Sequence, residues 1–406
     1  MPALRESAEP TNVPAAREDL LAYVLHGDAR TLPQALVAAV HQNLFRGLLA
    51  GALHESGMGY WYHHAATVQG RDYAYDELLR ALLPKLHGTS ASEVESLGAR
   101  PAPGELAARV RDLYVLYRRL LPPADGPLLD APAPQAELRC TLPKAVRRMA
   151  HAFEGRQGLQ LLLHGSLATC DAVDYSDVDT LLIVSHEWLE STEAIVELRT
   201  IIREAQRWLA AYDPTQHHGF MLVTGLDLER YARHYFPLEL LRYAYALTRW
   251  EPVRYRLRPS AEECHALLHR MWRRLVRLEG EGAPPPRSRY ALKAALSEMM
   301  LIPTYYLQVC GRVLYKRDSF DAVRDRLSSE AQAAMDELSA WRLAWRLSAW
   351  DRLYKWVGIT VPEAIGHRIL ARARMAPVSS RDAARWRALI PGARRMAEEL
   401  VAAVSA

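Results

Sequence analysis

The stretch from Leu161 to Val184 carries the residues best suited to chemistry. Gly165 and Ser166 follow a short apolar run, ten residues intervene, and Asp177-Val178-Asp179 opens a second apolar run. In an extended chain successive side chains face opposite ways, so Asp177 and Asp179 project together while Val178 turns to the core. Two carboxylates held so close repel one another unless a divalent cation sits between them. Mg²⁺ is the natural candidate, because it is commonly held by one or two carboxylates together with substrate phosphates. Gly165 has no side chain to keep backbone away from a phosphate, and Ser166 offers a hydroxyl and an N–H to its oxygens. The set suits a nucleoside triphosphate; the alternative is a turn bearing a surface pair of Asp.

A third acid would complete such a site, yet Gln216 to Val223 has none. His218 or His217 is the substitute expected there, as metal ligand or as the base on an acceptor, with a plain strand-initiating His pair as the alternative. Asp213, Glu239 and Glu298 are further candidate bases, each read more readily as structural than as catalytic. Tyr60-Trp61-Tyr62-His63-His64 could wall an acceptor pocket or belong to the core. Trp341 and Trp345 stand four apart and share a helix face, which reads as core with Arg342 and Arg346 at its margin.

These residues need particular elements to hold them. Leu142–Phe153 has helical period, 159–163 and 180–184 have strand length, 194–211 reads as a long amphipathic helix stopped by Asp213-Pro214, and 219–224 reads as a third strand. The order helix, strand, strand, helix, strand is a small α/β unit. Before it, residues 16–121 read as helical, and Pro122, Pro123, Pro127, Pro132 and Pro134 read as a linker. From Leu226 helical periodicity returns, interrupted by a loop at 280–286. The expected fold is α+β: an N-terminal helical domain over 1–137, a mixed-sheet core over 138–255 and a C-terminal helical domain over 256–406.

The pattern resembles the DNA polymerase β-like nucleotidyltransferase superfamily, most closely its small-molecule (antibiotic) branch. Gly165, Ser166, Asp177 and Asp179 fill the superfamily's motif, except that polar Thr180 stands at its last apolar place. The resemblance covers roughly residues 140–255. It implies transfer of an NMP group, AMP from ATP by default, to a hydroxyl or amine of a small-molecule acceptor, with Mg²⁺ on Asp177 and Asp179. Gly165 and Ser166 would seat phosphates. That branch commonly places a Lys after a Tyr-rich helix and a Gly, which implies a phosphate contact for Lys316 after Gly311. Nucleotidylation of a protein or RNA partner is the alternative, as is a catalytically impaired nucleotide-binding scaffold.

Composition sets outer limits. With 50% hydrophobic and 24% charged residues the 406-residue chain is globular, and its length calls for more than one domain. A net charge of +4 is too mild to imply a nucleic-acid partner. Lys occurs only at 85, 144, 293, 316 and 355, leaving 46 of the 51 cations as Arg, so each Lys is a position to inspect. Cys140, Cys170, Cys264 and Cys310 are widely spaced and read as four buried thiols in a reducing compartment. Glu6, Glu9, Glu18 and Asp19 near the start, and the lack of an apolar run of about 18 residues, lead to the expectation of a cytoplasmic protein with no membrane partner.

Overall fold

The computed structural model describes residues 20–54, 66–68, 71–102, 104–357, 360–361 and 363–405. It is a mixed α+β structure, 61% helical. Among the described residues eight strands occur. β1 (Ala66–Val68) and β2 (Arg71–Tyr73) form a hairpin, and β3 (Leu128–Asp130) pairs antiparallel with β8 (Arg254–Arg256). The central sheet holds β4 (Leu159–His164), β5 (Asp179–Val184), β6 (Met221–Thr224) and β7 (Tyr245–Ala246) in the order β6-β5-β4-β7. β4 runs antiparallel to β5 and β7, whereas β5 and β6 are parallel.

Strand alternation sorts the sheet's side chains onto two covered faces. Leu161, Leu163, Leu182, Val184 and Leu222 pack with Ile195, Leu198 and Ile202 of the Thr192–Tyr212 helix. Leu162, Leu181, Ile183 and Val223 pack on the other side with Phe236, Leu238, Leu241 and Tyr255. Burial on both faces explains why these strands read as unbroken apolar runs rather than as alternating ones. The Thr192–Tyr212 helix begins with the Ser191 hydroxyl accepting from the Ala194 N–H at 3.3 Å and ends where Asp213-Pro214 cannot continue it.

The first core continues without a break into the N-terminal helices, through Phe45, Leu48 and Leu49 of Gln34–His54 and Leu113 and Tyr117 of Leu106–Leu120. Arg46 Nη2 and Gln42 Nε2 reach across to Asp227 Oδ1 at 2.7 and 2.9 Å, all three side chains buried. The Pro-rich stretch is likewise engaged, since β3 lies within it. Gln34–Leu53 is the one segment among the described residues long and apolar enough to cross a membrane, but 78% of its apolar window is buried inside the protein, as befits a core helix.

The C-terminal helices gather around Trp341, Trp345, Trp386, Met335 and Leu338, so the Trp stripe is core. The Tyr-rich stretch before Gly311 forms two helices, Arg289–Met299 and Ile302–Val309, because Pro303 cannot donate to the preceding turn. β7 and β8 interrupt the region read as helical after Leu226; strands of two and three residues leave no periodicity to detect.

The expectation of four free thiols is overturned. Cys140 and Cys170 form a disulfide, because the turn after β4 brings their Cα atoms to 5.7 Å. Of the other two, Cys264 is buried and Cys310 exposed. The bridge closes a loop with a sequence separation of 30, so reduction is expected to lower stability by about 2–4 kcal/mol. Urea unfolding with and without dithiothreitol, beside Cys140→Ala, measures this; coincident curves would remove the bridge's role.

Candidate active site at the start of β5

β4 delivers Gly165 with φ +69°, a conformation that side chains rarely adopt. A Cβ at this position would collide with the Asp179 Oδ2 atom. Glycine is thus required twice over, for its backbone angle and for the approach of Asp179. Ser166 sits in the short turn Gly165–Ala168 that follows, partly exposed.

The parallel pairing of β5 with β6, Leu181 opposite Met221, sets the residues preceding β6 beside those opening β5. Gln216 splices the two: its Oε1 accepts from the Val178 N–H at 3.0 Å and its Nε2 donates to Val178 O at 3.1 Å and His218 O at 3.0 Å. The result brings both expected carboxylates to both expected histidines. His217 Nδ1 lies 3.0 Å from Asp177 Oδ2; His218 Nε2 lies 3.4 Å from that oxygen and 3.1 Å from Asp179 Oδ1.

Behind Asp177 stands Lys293, from the Arg289–Met299 helix. Its ammonium pairs with Asp177 Oδ1 and with Asp213 Oδ2, the latter at 2.5 Å, and its side chain is 0% exposed. Asp213, 3% exposed, also accepts from the Thr215 N–H and hydroxyl at 3.0 and 2.7 Å. The loop before Asp177 is clamped to the same bundle: the Tyr175 hydroxyl donates to Lys293 O at 2.8 Å, and Arg342 Nη2 donates to Asp171 O at 3.2 Å.

Charge follows this geometry. Burial alone would raise Asp177, but Lys293 and the imidazoles of His217 and His218 hold it well below the usual carboxylate range. Asp179 is also held low, against its burial, chiefly by His218 and with help from His164 and Lys316. Burial would make His218 less basic; its hydrogen bonds to Asp177 and Asp179 carry it instead up to about 10. Burial leaves Asp213 raised despite Lys293, because Asp177 faces it as a like charge. His164, at the end of β4, is pushed down to about 4 by burial.

Lys316 opens the Lys316–Val323 helix, where the Tyr315 hydroxyl lies 3.2 Å from Thr169 Oγ1, and its charge is felt at both Asp179 and His164. Glu239 and Glu298 are not gathered in: they pair with Arg233 at 2.6 Å and with Arg274. Asp213 is turned to Lys293. Tyr60 to His64 lie outside the described residues.

Sequence reasoning missed Lys293, Tyr175 and His164. The scarcity of Lys was a usable signal for the first, since it applies to Lys293 as much as to Lys316. A cavity of about 210 Å³ is lined among others by Asp174, Ser176, Tyr212, Asp213 and Lys355, on the Asp213 side and without Asp177 or Asp179 in its wall. A larger one of about 430 Å³ lies at the opposite end of the sheet beside Ser185 and Gly225, away from this chemistry.

The residues fit a cation. Asp177, His217 and His218 each offer a ligand atom, all within 4.8 Å of one another. His217 Nδ1 is buried and lies 3.0 Å from Asp177 Oδ2, a contact that a shared ion would bridge. Comparison of the chain with known protein families, with characterised proteins and with solved structures returns no match.

Proposed function

We propose that the protein is a metal-dependent nucleotidyltransferase, moving an NMP group, AMP from ATP by default, onto a hydroxyl or amine of a small-molecule acceptor with release of pyrophosphate. One observation carries this reading: Gly165, in its left-handed turn, is packed against Asp179 while Asp177 and Asp179 converge on one imidazole. A bare backbone corner beside two ionised carboxylates is what a metal-bound triphosphate needs.

Asp177 and Asp179 would hold the divalent cation, Mg²⁺ by the resemblance. Such an ion neutralises charge on the phosphates and orients them for in-line attack. The space a side chain would take at Gly165 is filled by Asp179, so the turn would meet a phosphate through the Ser166 hydroxyl and N–H. Lys316, beside Asp179, supplies positive charge where pyrophosphate would leave. His218, touching both carboxylates, would share the cation once its proton is displaced; as an imidazolium in the ion-free site it is not free to act as the base expected from the sequence. Lys293 keeps Asp177 ionised and oriented from behind. A cytoplasmic setting, where ATP is plentiful, goes with this reading, and the Cys140–Cys170 bridge would there be open to reduction.

The impaired-scaffold reading has one observation in its favour: Asp213, a further carboxylate close by, is committed to Lys293 rather than to the site. Incubation with α- and γ-labelled ATP, a divalent cation and a panel of amines and alcohols separates the readings. Transfer of the α label to a small molecule with labelled pyrophosphate released supports the proposal. Label on the protein itself or on added RNA supports partner modification, and tight nucleotide binding without transfer supports the scaffold. Absence of both binding and transfer would end all three.

A further inference from the structure

Asp177, His217 and His218 bring one ligand atom each within 4.8 Å of one another where β5 and β6 begin, with Asp179 beside them. The separations are 3.0 Å for His217 Nδ1 to Asp177 Oδ2, 3.4 Å for His218 Nε2 to the same oxygen, and 3.1 Å for His218 Nε2 to Asp179 Oδ1. Ligand atoms about 2.1 Å from one cation stand about 3.0 Å apart at a right angle and about 3.4 Å apart at the tetrahedral angle. The observed spacings match those of neighbouring ligands on a single first-row ion.

We propose that Asp177, His217 and His218, with Asp179 beside them, form a mixed nitrogen–oxygen site that takes Mn²⁺, Co²⁺ or Zn²⁺ in preference to Mg²⁺. The location and use of the site rest on the nucleotidyl-transfer reading; the identity of the ion rests on the donors. Mg²⁺ favours oxygen and gives up water reluctantly, whereas imidazole suits the transition ions. Two imidazoles stand where an all-carboxylate site would present a third acid.

The surrounding groups are arranged as supports for ligands. Lys293 occupies Asp177 Oδ1 and leaves Oδ2 toward the histidines. The second ring nitrogen of His218 lies 3.3 Å from Gln216 Nε2 and 3.4 Å from Gly219 O, which fixes the ring's orientation, and an ion would displace the Nε2 proton now shared with the carboxylates. Gln216 fixes the His218 backbone to β5. Binding an ion would replace the 3.0 Å contact between His217 Nδ1 and Asp177 Oδ2 with two bonds to the metal. Elsewhere, His265 and His269 approach at 3.2 Å between Nε2 atoms, and Cys310 is exposed, so Zn²⁺ has other places to bind and Mn²⁺ is the cleaner probe.

The full-length protein, stripped with a chelator, is titrated with Mn²⁺ under electron paramagnetic resonance, without nucleotide, and then challenged with Mg²⁺. The expected result is one tightly held Mn²⁺ showing ¹⁴N coupling from imidazole, resistant to about a 100-fold excess of Mg²⁺. His217→Gln and His218→Gln should each weaken Mn²⁺ by at least about tenfold, the usual scale for losing a ligand or its support, with little change for Mg²⁺. An all-oxygen coordination sphere, or displacement of Mn²⁺ by equal Mg²⁺, overturns the inference. The ¹⁴N signal is read on the unaltered protein, so a poorly folding variant does not blunt the test. Nitrogen-bound Mn²⁺ without label transfer would defeat the transferase reading alone. Label transfer together with Mn²⁺ held as tightly by both His variants as by wild type would defeat this inference alone.

Discussion

Lys293→Met is expected to destabilise the protein by about 3–5 kcal/mol, the cost typical of removing one partner from a buried ion pair. Methionine fills nearly the same volume but carries no charge. Two carboxylates, Asp177 at 9% exposure and Asp213 at 3%, would then face each other without the ammonium that both now contact. Protonation of Asp213, already raised by burial, is the cheapest way out, so part of the loss is recoverable. Lys293→Met combined with Asp213→Asn should accordingly regain about half of the stability. Urea unfolding of the two variants beside wild type measures both effects, and a Lys293→Met midpoint within about 1 kcal/mol of wild type would show the triad to be energetically idle.

Asp179→Asn should lower label transfer by about 100–1,000-fold, the scale of losing one preorganised charge at a reacting centre. Asparagine is nearly isosteric and Asp179 is part-exposed, so the side chain can stay where it packs against Gly165. What disappears is a negative charge that His218 and its neighbours hold ionised at neutral pH. Losing the charge-assisted contact with His218 should also cost some stability, so urea unfolding beside the transfer assay separates a loss of chemistry from a loss of fold. An Asn variant that transfers label at the wild-type rate would remove Asp179 from the reaction.

Much of the site's scaffold was legible before any coordinates. Gly165-Ser166 and Asp177-Val178-Asp179 stand at the ends of strands whose apolar runs mark them, because a strand buried on both faces cannot hide its composition. Val178 is fully buried, as the alternation requires. His217 and His218 could be suspected from the missing third acid, but their contact with Asp177 depends on the parallel register of β5 and β6, which no local pattern encodes. Lys293 was less legible still, since it reaches the site from a helix of another core cluster and its ordinary helical neighbours announce nothing. The Cys140–Cys170 bridge escaped for a related reason: it joins residues on either side of a strand-and-turn excursion, and only folding makes them neighbours.

The position of Lys293 also bears on the order in which the protein assembles. The counter-charge for the carboxylate at the head of β5 is carried by a helix that docks from the far end of the chain. Until that helix arrives, the sheet region must bury Asp177 and Asp213 with no cation between them, a state that favours staying open to water. Synthesis from the N-terminus therefore leaves the catalytic corner hydrated and unfinished until residues beyond Lys293 emerge. The excised segment 138–255 should accordingly be a poor vehicle for studying it.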